Sequence, residues 1–253
     1  MKIIFFFNLL IFINFAYVFA ETLTNTEITT EDGVEVFQNE KYYLLKKNVI
    51  INSDNIKLKS NEIKVFFDKD LYDIIKVEAK TDANFKSKNN NVFASGEFLS
   101  YTIANKSLSV KGKNSLVEIE STKMSSNNYI EINNSLGSFQ LLGKDSNLYN
   151  SDISIIGSKI IGSYKIMNNI TEIENLTVED KELSQIKTNK IEMFAKKAVY
   201  NKKNNVIELF DNVKIVRGKE TIVGDYGLIN LFNDSYSVKS NKTNKVKIFL
   251  KNE

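Results

Sequence analysis

The chain repeats itself. Residues 43–67 laid over residues 207–231, a shift of 164 positions, put Leu45 on Leu209, Asn48 on Asn212, Val49 on Val213 and Ile51 on Ile215. Leu58 then falls on Ile222, Val65 on Ile229 and Phe67 on Leu231. A looser copy at a shift of 99 puts Tyr101 on Tyr200, Leu108 on Ile207 and Val110 on Leu209. A chain built from one recurring short-strand unit makes an elongated stack in which each unit covers the apolar face of the next. Such a stack is a surface or a conduit more often than a catalytic pocket.

The local pattern inside each copy has period two. Val34-Glu35-Val36, Ile56-Lys57-Leu58-Lys59 and Ile63-Lys64-Val65 alternate apolar and polar, as do Val213-Lys214-Ile215 and Val246-Lys247-Ile248. Alternation with β-branched residues on one face marks half-buried strands. The separators are Asn52-Ser53-Asp54-Asn55, Asp68-Lys69-Asp70, Lys88-Asn89-Asn90-Asn91 and Ala104-Asn105-Lys106. Asn and Asp tolerate left-handed backbone and bond their own main chain, so they punctuate here in place of Gly-Pro. At about ten residues per strand and turn, the spacing predicts roughly 20 short strands. The polar run Ser121–Asn128 reads as a loop, and residues 21–33 as a loose leader ending at Asp32-Gly33. A short helix over Lys181–Ala198 is the weaker alternative to strands there.

Lys2 followed by the apolar Ile3–Phe19, with Val18-Phe19-Ala20 before Glu21, has the form of a secretory signal cleaved after Ala20. An uncleaved anchor is the alternative, but the stretch is short for a span and is interrupted by Asn8 and Asn14. No Cys follows the run, which excludes a lipoprotein anchor.

Composition removes whole classes of chemistry. With no Cys and no His there is no Ser-His-Asp triad, no thiol nucleophile, no conventional zinc site and no disulfide. Nothing calls for a cofactor. A net charge of +3 and a single arginine, Arg217, give no footprint for nucleic acid. The carboxylates Asp68, Asp70, Asp73 and Glu78 lack the EF-hand spacing and read as a solvated turn.

Ala198-x-Tyr200, Val206–Leu209, Asp211-Asn212-Val213 and Gly224-Asp225-Tyr226 together resemble the OstA-like domain, which defines the LptA family of periplasmic lipopolysaccharide-transport proteins. Tyr43–Val49, with Leu58 and Ile63, is similar to the start of another such domain. Lys47 and Asp211 stand where the family often has Gly before Asn-Val, which leaves the local turn to be tested. The resemblance implies an all-β fold, an elongated open β-jelly roll of stacked short antiparallel strands. It divides the chain into OstA-like blocks at 34–115 and 190–250 around an intermediate β region at 116–189. It implies no catalytic residues and a periplasmic location. The inner face of the family's fold holds the lipid A acyl chains of lipopolysaccharide. Its open ends pair edge to edge with neighbouring transport proteins at both membranes, or with a second copy head to tail.

The inward rows that would form such a groove are Val49, Ile51, Leu58, Val65 and Phe67, with the repeat partners Val213, Ile215 and Ile222. The same pattern is that of an ordinary core. The Phe load, with Phe66, Phe67, Phe85, Phe93 and Phe98, suits either a greasy lumen or plain packing. A ligand-free structural or adhesive stack therefore stays open beside the carrier, as does a polysaccharide-acting enzyme with a spatially paired set of carboxylates.

Overall fold

The computed structural model describes residues 26–89, 91–168, 170–241 and 245–250. The signal segment and its cleavage site lie outside the described residues.

Every regular element among the described residues is a strand, and the eighteen form one antiparallel system. β1 (Glu27–Thr29) and β2 (Val34–Phe37) both pair with β3 (Tyr42–Asn52), one along each half. β4 (Ile56–Phe67), β5 (Ile74–Ser87) and β6 (Val92–Thr102) follow in order. β7 (Ser107–Lys111) and β8 (Ser115–Ile119) divide β6 between them. β9 (Thr122–Ser126) pairs with β8, and β10 (Tyr129–Asn133) with β7. β11 (Ser138–Tyr149) spans both. β12 (Ile153–Met167), β13 (Ile170–Thr188), β14 (Glu192–Asn201), β15 (Val206–Arg217) and β16 (Glu220–Asn230) continue the meander. β17 (Ser235–Lys239) and β18 (Lys247–Leu250) divide β16 and end it. Ten unbroken strands and four split ones make fourteen rungs, a stack about 60 Å long at normal strand spacing.

Each rung is creased near its middle. The pairing register slips at Lys46/Val49, Lys59/Glu62, Lys80/Ala83, Leu142/Ser146, Glu179/Ser184 and Phe210/Val213. On alternate rungs the crease is a left-handed pair: Lys47 and Asn48 (φ 64 and 49), Thr81 and Asp82 (φ 67 and 55), Asp211 and Asn212 (φ 63 and 57). The slips fold the rungs into two wings facing each other, the open jelly roll. The first wing holds β2, β7, β10 and β17; the second holds β1, β8, β9 and β18. Lys47 and Asp211 thus form the turn in the absence of the glycine that the resemblance led one to expect.

The side chains just past the crease are small because the wings converge there. Paired across neighbouring rungs they read Val49–Ser60, Ala83–Gly96, Ser115–Ser126, Ser146–Gly157, Ser184–Ala195 and Val213–Gly224. The buried serines donate to backbone carbonyls beside the slip. Ser60 Oγ donates to Lys80 O (2.6 Å), Ser115 Oγ to Gly112 O (2.8 Å), Ser126 Oγ to Leu142 O (2.7 Å) and Ser184 Oγ to Ala195 O (2.7 Å). An unmet buried carbonyl costs about 1–3 kcal/mol, so serine is favoured over alanine at these points.

The crease explains the repeat. Asp211 lies 164 positions after Lys47 and five hairpins further along the stack, and Tyr200 lies three hairpins after Tyr101. The repeating unit is one creased hairpin of about 33 residues.

Three local readings are corrected. The leader contributes a strand, because Glu27–Thr29 pairs with Asn52–Ile50. The polar run at Ser121–Asn128 is β9, held at both edges by β8 and β11, with Thr122, Met124 and Ser126 facing inward. Lys181–Ala198 is extended, since its helix formers sit in the paired ends of β13 and β14. Strand pairing is continuous along the stack: β8 spans residues 115–116, and β13 meets β14 around 189–190.

Candidate functional site

The inner face of the stack is apolar from end to end. All eight sequence-derived groove residues point into it and are buried, none more than 8% exposed. They do not gather at one place. Ile51 faces Leu58, and Leu58 faces Phe85, on the first rungs; Ile215 faces Ile222 on the last. About ten rungs, or 50 Å, separate the two groups. The interior between them is lined by Ile119, Met124, Ile130, Leu141, Leu148 and Ile155, all fully buried. Sequence reasoning left these out of the groove because it was drawn from the two repeat copies alone, and at Met124 the polar run at 121–128 also hid the period. The signal was there in Thr122-x-Met124-x-Ser126, where the inward positions are small or soft.

The wings are closed on one another. Phe85 of the second wing packs on Tyr101 of the first with ring centroids 5.0 Å apart. The Phe load splits: Phe67 and Phe85 face inward, whereas Phe66, Phe93 and Phe98 lie on the outer face. There Lys64 and Lys76 sit over the Phe66 ring, and Lys111 over Phe98 and Tyr129. Alternation sends neighbours such as Phe66 and Phe67 to opposite faces.

The outer face is charged and self-paired. Glu179 lies between Lys159 (3.3 Å) and Lys197 (3.2 Å), and the hydrogen bonds from the two ammonium groups pull its carboxyl below the usual range. Asp68 pairs with Lys41, Glu78 with Lys76, and the Asp70 carboxylate accepts the backbone N–H of Tyr72 and Asp73. Those carboxylates close a turn and surface pairs, as the sequence indicated. Among the described residues no group of three or more Asp or Glu side chains is placed to hold a metal.

At the N-terminal end a cavity of about 300 Å³ opens into the interior between Ile28, Val34, Val36, Tyr43, Leu45 and Leu71. Burial at this mouth pushes the Tyr43 hydroxyl up to about 12. At the crease of the last rungs a cavity of about 600 Å³ is bounded by Asn212, Val213, Val223, Asp225, Ser240 and Lys245, and its repeat equivalent at the crease of the first rungs by Asn48, Val49, Lys59, Ser60 and Asn61. The outermost strands β2 and β18 each pair on one side only, with β3 and β16, and carry exposed Val34, Val36, Ile248 and Leu250. The arrangement can take up apolar matter at one end and extend its sheet at both.

No curated protein matches the chain. Among solved structures, LptH from Pseudomonas aeruginosa, described as the LptA homologous periplasmic component of a lipopolysaccharide transport device, aligns over 92% of this chain and 99% of its own at 8% identity, with a TM-score of 0.23. The family model described as LptA/(LptD N-terminal domain) LPS transport protein matches residues 28–137, from β1 to the turn after β10. That match covers the mouth and crosses residue 115 without interruption. The resemblance first read at Tyr43–Val49 is thereby shown over this segment: residues 28–137 match the LptA/LptD N-terminal family.

Proposed function

We propose that the protein is a non-enzymatic carrier of lipopolysaccharide in the periplasm. It holds the lipid A acyl chains between its wings and forms part of a bridge from inner to outer membrane. The observation that carries this reading is the unbroken apolar interior, reached through an apolar mouth that lies within the family-matched segment. The physical need is plain, since each methylene exposed to water costs about 0.8 kcal/mol and a lipid with several chains cannot cross an aqueous gap unshielded. The interior rows Ile51, Leu58 and Val65 at one end and Ile215 and Ile222 at the other become the lipid-facing floor once the wings separate. Val49, Phe67 and Val213 border it at the crease and the wing. Edge strands β2 and β18 pair with neighbouring transport proteins, or with a second copy.

The closed packing of the interior favours a second reading, a structural stack that carries no ligand. One experiment separates the two. A photo-crosslinking residue at Ile51 or Ile215 captures lipopolysaccharide in the carrier, whereas one at the exposed Lys57 or Lys214 does not. Lipid extraction of the purified protein with mass spectrometry supplies the independent readout. Equal labelling of both faces, or of neither, with no lipid extracted, favours the ligand-free stack.

A further inference from the structure

The edge opposite the crease, where the hairpin turns of the two wings meet, is closed at two points of different strength. Near mid-stack, Thr171 of the first wing donates its buried hydroxyl to Ile119 O of the second at 3.1 Å. Towards the C-terminal end, Lys190, in the turn after β13, reaches across to Asp234, in the turn before β17, at 2.5 Å. Arg217, at the end of β15, donates to the Asp234 carbonyl at 3.5 Å. Both partners of the Lys190–Asp234 pair are solvent-exposed.

Between these closures the edge holds a cavity of about 300 Å³. Ile153, Ile155, Ile173, Leu176, Tyr200 and Leu231 line it, and Ile155, Ile173 and Leu176 belong to the continuous core. The two rims differ. On the first wing the turns beside it present exposed Met167, Ile170 and Phe232, the last 85% exposed. On the second wing the turn tips are Asn150-Ser151-Asp152 and Asn189-Lys190. The first-wing rim thus sets these apolar side chains beside the Glu172–Lys202 ion pair, which also lines the cavity.

We infer that this cavity is a lateral window through which an unbranched alkyl chain of an amphiphile slides into the interior, and that the Lys190–Asp234 pair is its latch. The inference rests on the carrier reading and specifies how that site is filled. A packed interior admits a chain only if the wings part. The buried Thr171–Ile119 bond is costly to leave unmet. An exposed ion pair is weak and screened by salt. The edge therefore opens from the Lys190–Asp234 side and hinges on Thr171. The alkyl chain is the occupant chosen by the apolar floor and by the exposed Met167, Ile170 and Phe232, which offer it a path from the outside.

The chain has no native cysteine, so Lys190→Cys with Asp234→Cys gives one addressable pair. The pair is tethered with a short bifunctional methanethiosulfonate that a reductant releases. The probes are a fluorescent hexadecanoic acid and purified lipopolysaccharide, with uptake followed by stopped-flow fluorescence and by crosslinking at Ile215. The tethered protein is expected to load at least tenfold more slowly than the same protein after reduction. Asp234→Asn, untethered, is expected to load faster than wild type at low salt and to lose the salt dependence. Equal loading with and without the tether, in a protein that binds the probes normally, overturns the latch and leaves carriage intact. A wild-type protein that takes up neither probe overturns carriage, and the latch with it.

Discussion

Gly96 faces Val110 across the crease so closely that a Cβ on the glycine would sit 2.4 Å from the valine Cγ1. Gly157 stands in the same relation to Val178, also at 2.4 Å. Both glycines adopt ordinary strand backbone, so what they supply is space rather than conformational freedom. They let the wings close on the valine of the opposite sheet, and they recur because the creased hairpin recurs. Gly96→Ala should destabilise the fold by about 1–3 kcal/mol through overpacking. Val110→Ala in the same chain should recover part of that loss, although alone it leaves a void. Urea unfolding of the two single variants and the double variant measures the coupling. Simple additivity would mean that the two residues do not meet.

The left-handed crease residues store strain that glycine would release. Thr81 is β-branched at φ 67, and Asp211 has φ 63. Left-handed backbone costs an ordinary residue about 1–2 kcal/mol. Thr81→Gly and Asp211→Gly should each raise stability by up to about 1 kcal/mol, after allowance for the greater freedom glycine gains in the unfolded chain. The midpoint of urea unfolding should rise with an unchanged slope. A fall in both variants would show that the side chains hold the crease.

Much of this architecture was legible in the chain, and the unread parts have a physical reason. Period two marked the strands wherever the inward residues were large, as at Leu58, Val65, Ile215 and Ile229. It failed at Thr122-x-Met124-x-Ser126, because the inward residues near the crease are small and partly polar. The crease itself was invisible to a search for alternation. A register slip inserts residues into a strand and reads as noise, and the buried hydroxyls of Ser115 and Ser146 look like turn residues until their carbonyl partners are known. The repeat was seen, but at 164 and 99 positions rather than at the single hairpin, because copies five and three hairpins apart happen to match best. The groove candidates lie on the inner face at opposite ends of the stack, a separation along the rungs that sequence alone does not give.

Alkaline pH should lower the stability of the stack. Burial raises the hydroxyls of Tyr43 and Tyr164 to about 12 from an ordinary 10.0. Below pH 10 both folded and unfolded phenols keep their protons, and these groups contribute no pH dependence. Between about pH 10 and 12 the unfolded phenols ionise while the buried ones do not, so stability falls as pH rises through that window. Tyr129 is raised to about 12 as well, so Tyr43→Phe removes one of three such groups and should flatten the decline in part. Urea midpoints from pH 9 to 11.5, for wild type and variant, provide the check. Identical slopes would place Tyr43 in contact with water.

The two ends of the stack set how it assembles. β2 and β18 each leave one edge unpaired, and an unpaired edge is a template for another strand. Val34 and Val36 at one end and Ile248 and Leu250 at the other add exposed apolar side chains to those edges. Lys245 and Lys247 beside the second edge disfavour random sticking and leave a specific, antiparallel partner preferred. Head-to-tail growth places β18 of one copy against β1 of the next and β17 against β2, wing on wing, and continues the apolar interior from one stack into the other. Sedimentation velocity should therefore show concentration-dependent species larger than the monomer. Ile248→Pro should shift that equilibrium towards monomer, because proline removes an N–H donor and fixes the backbone. The same variant should keep its fold, since all four residues of β18 are exposed and only the short run Glu220–Val223 pairs with them. A wild-type protein that remains monomeric over the whole concentration range would show that its edges are reserved for other partners.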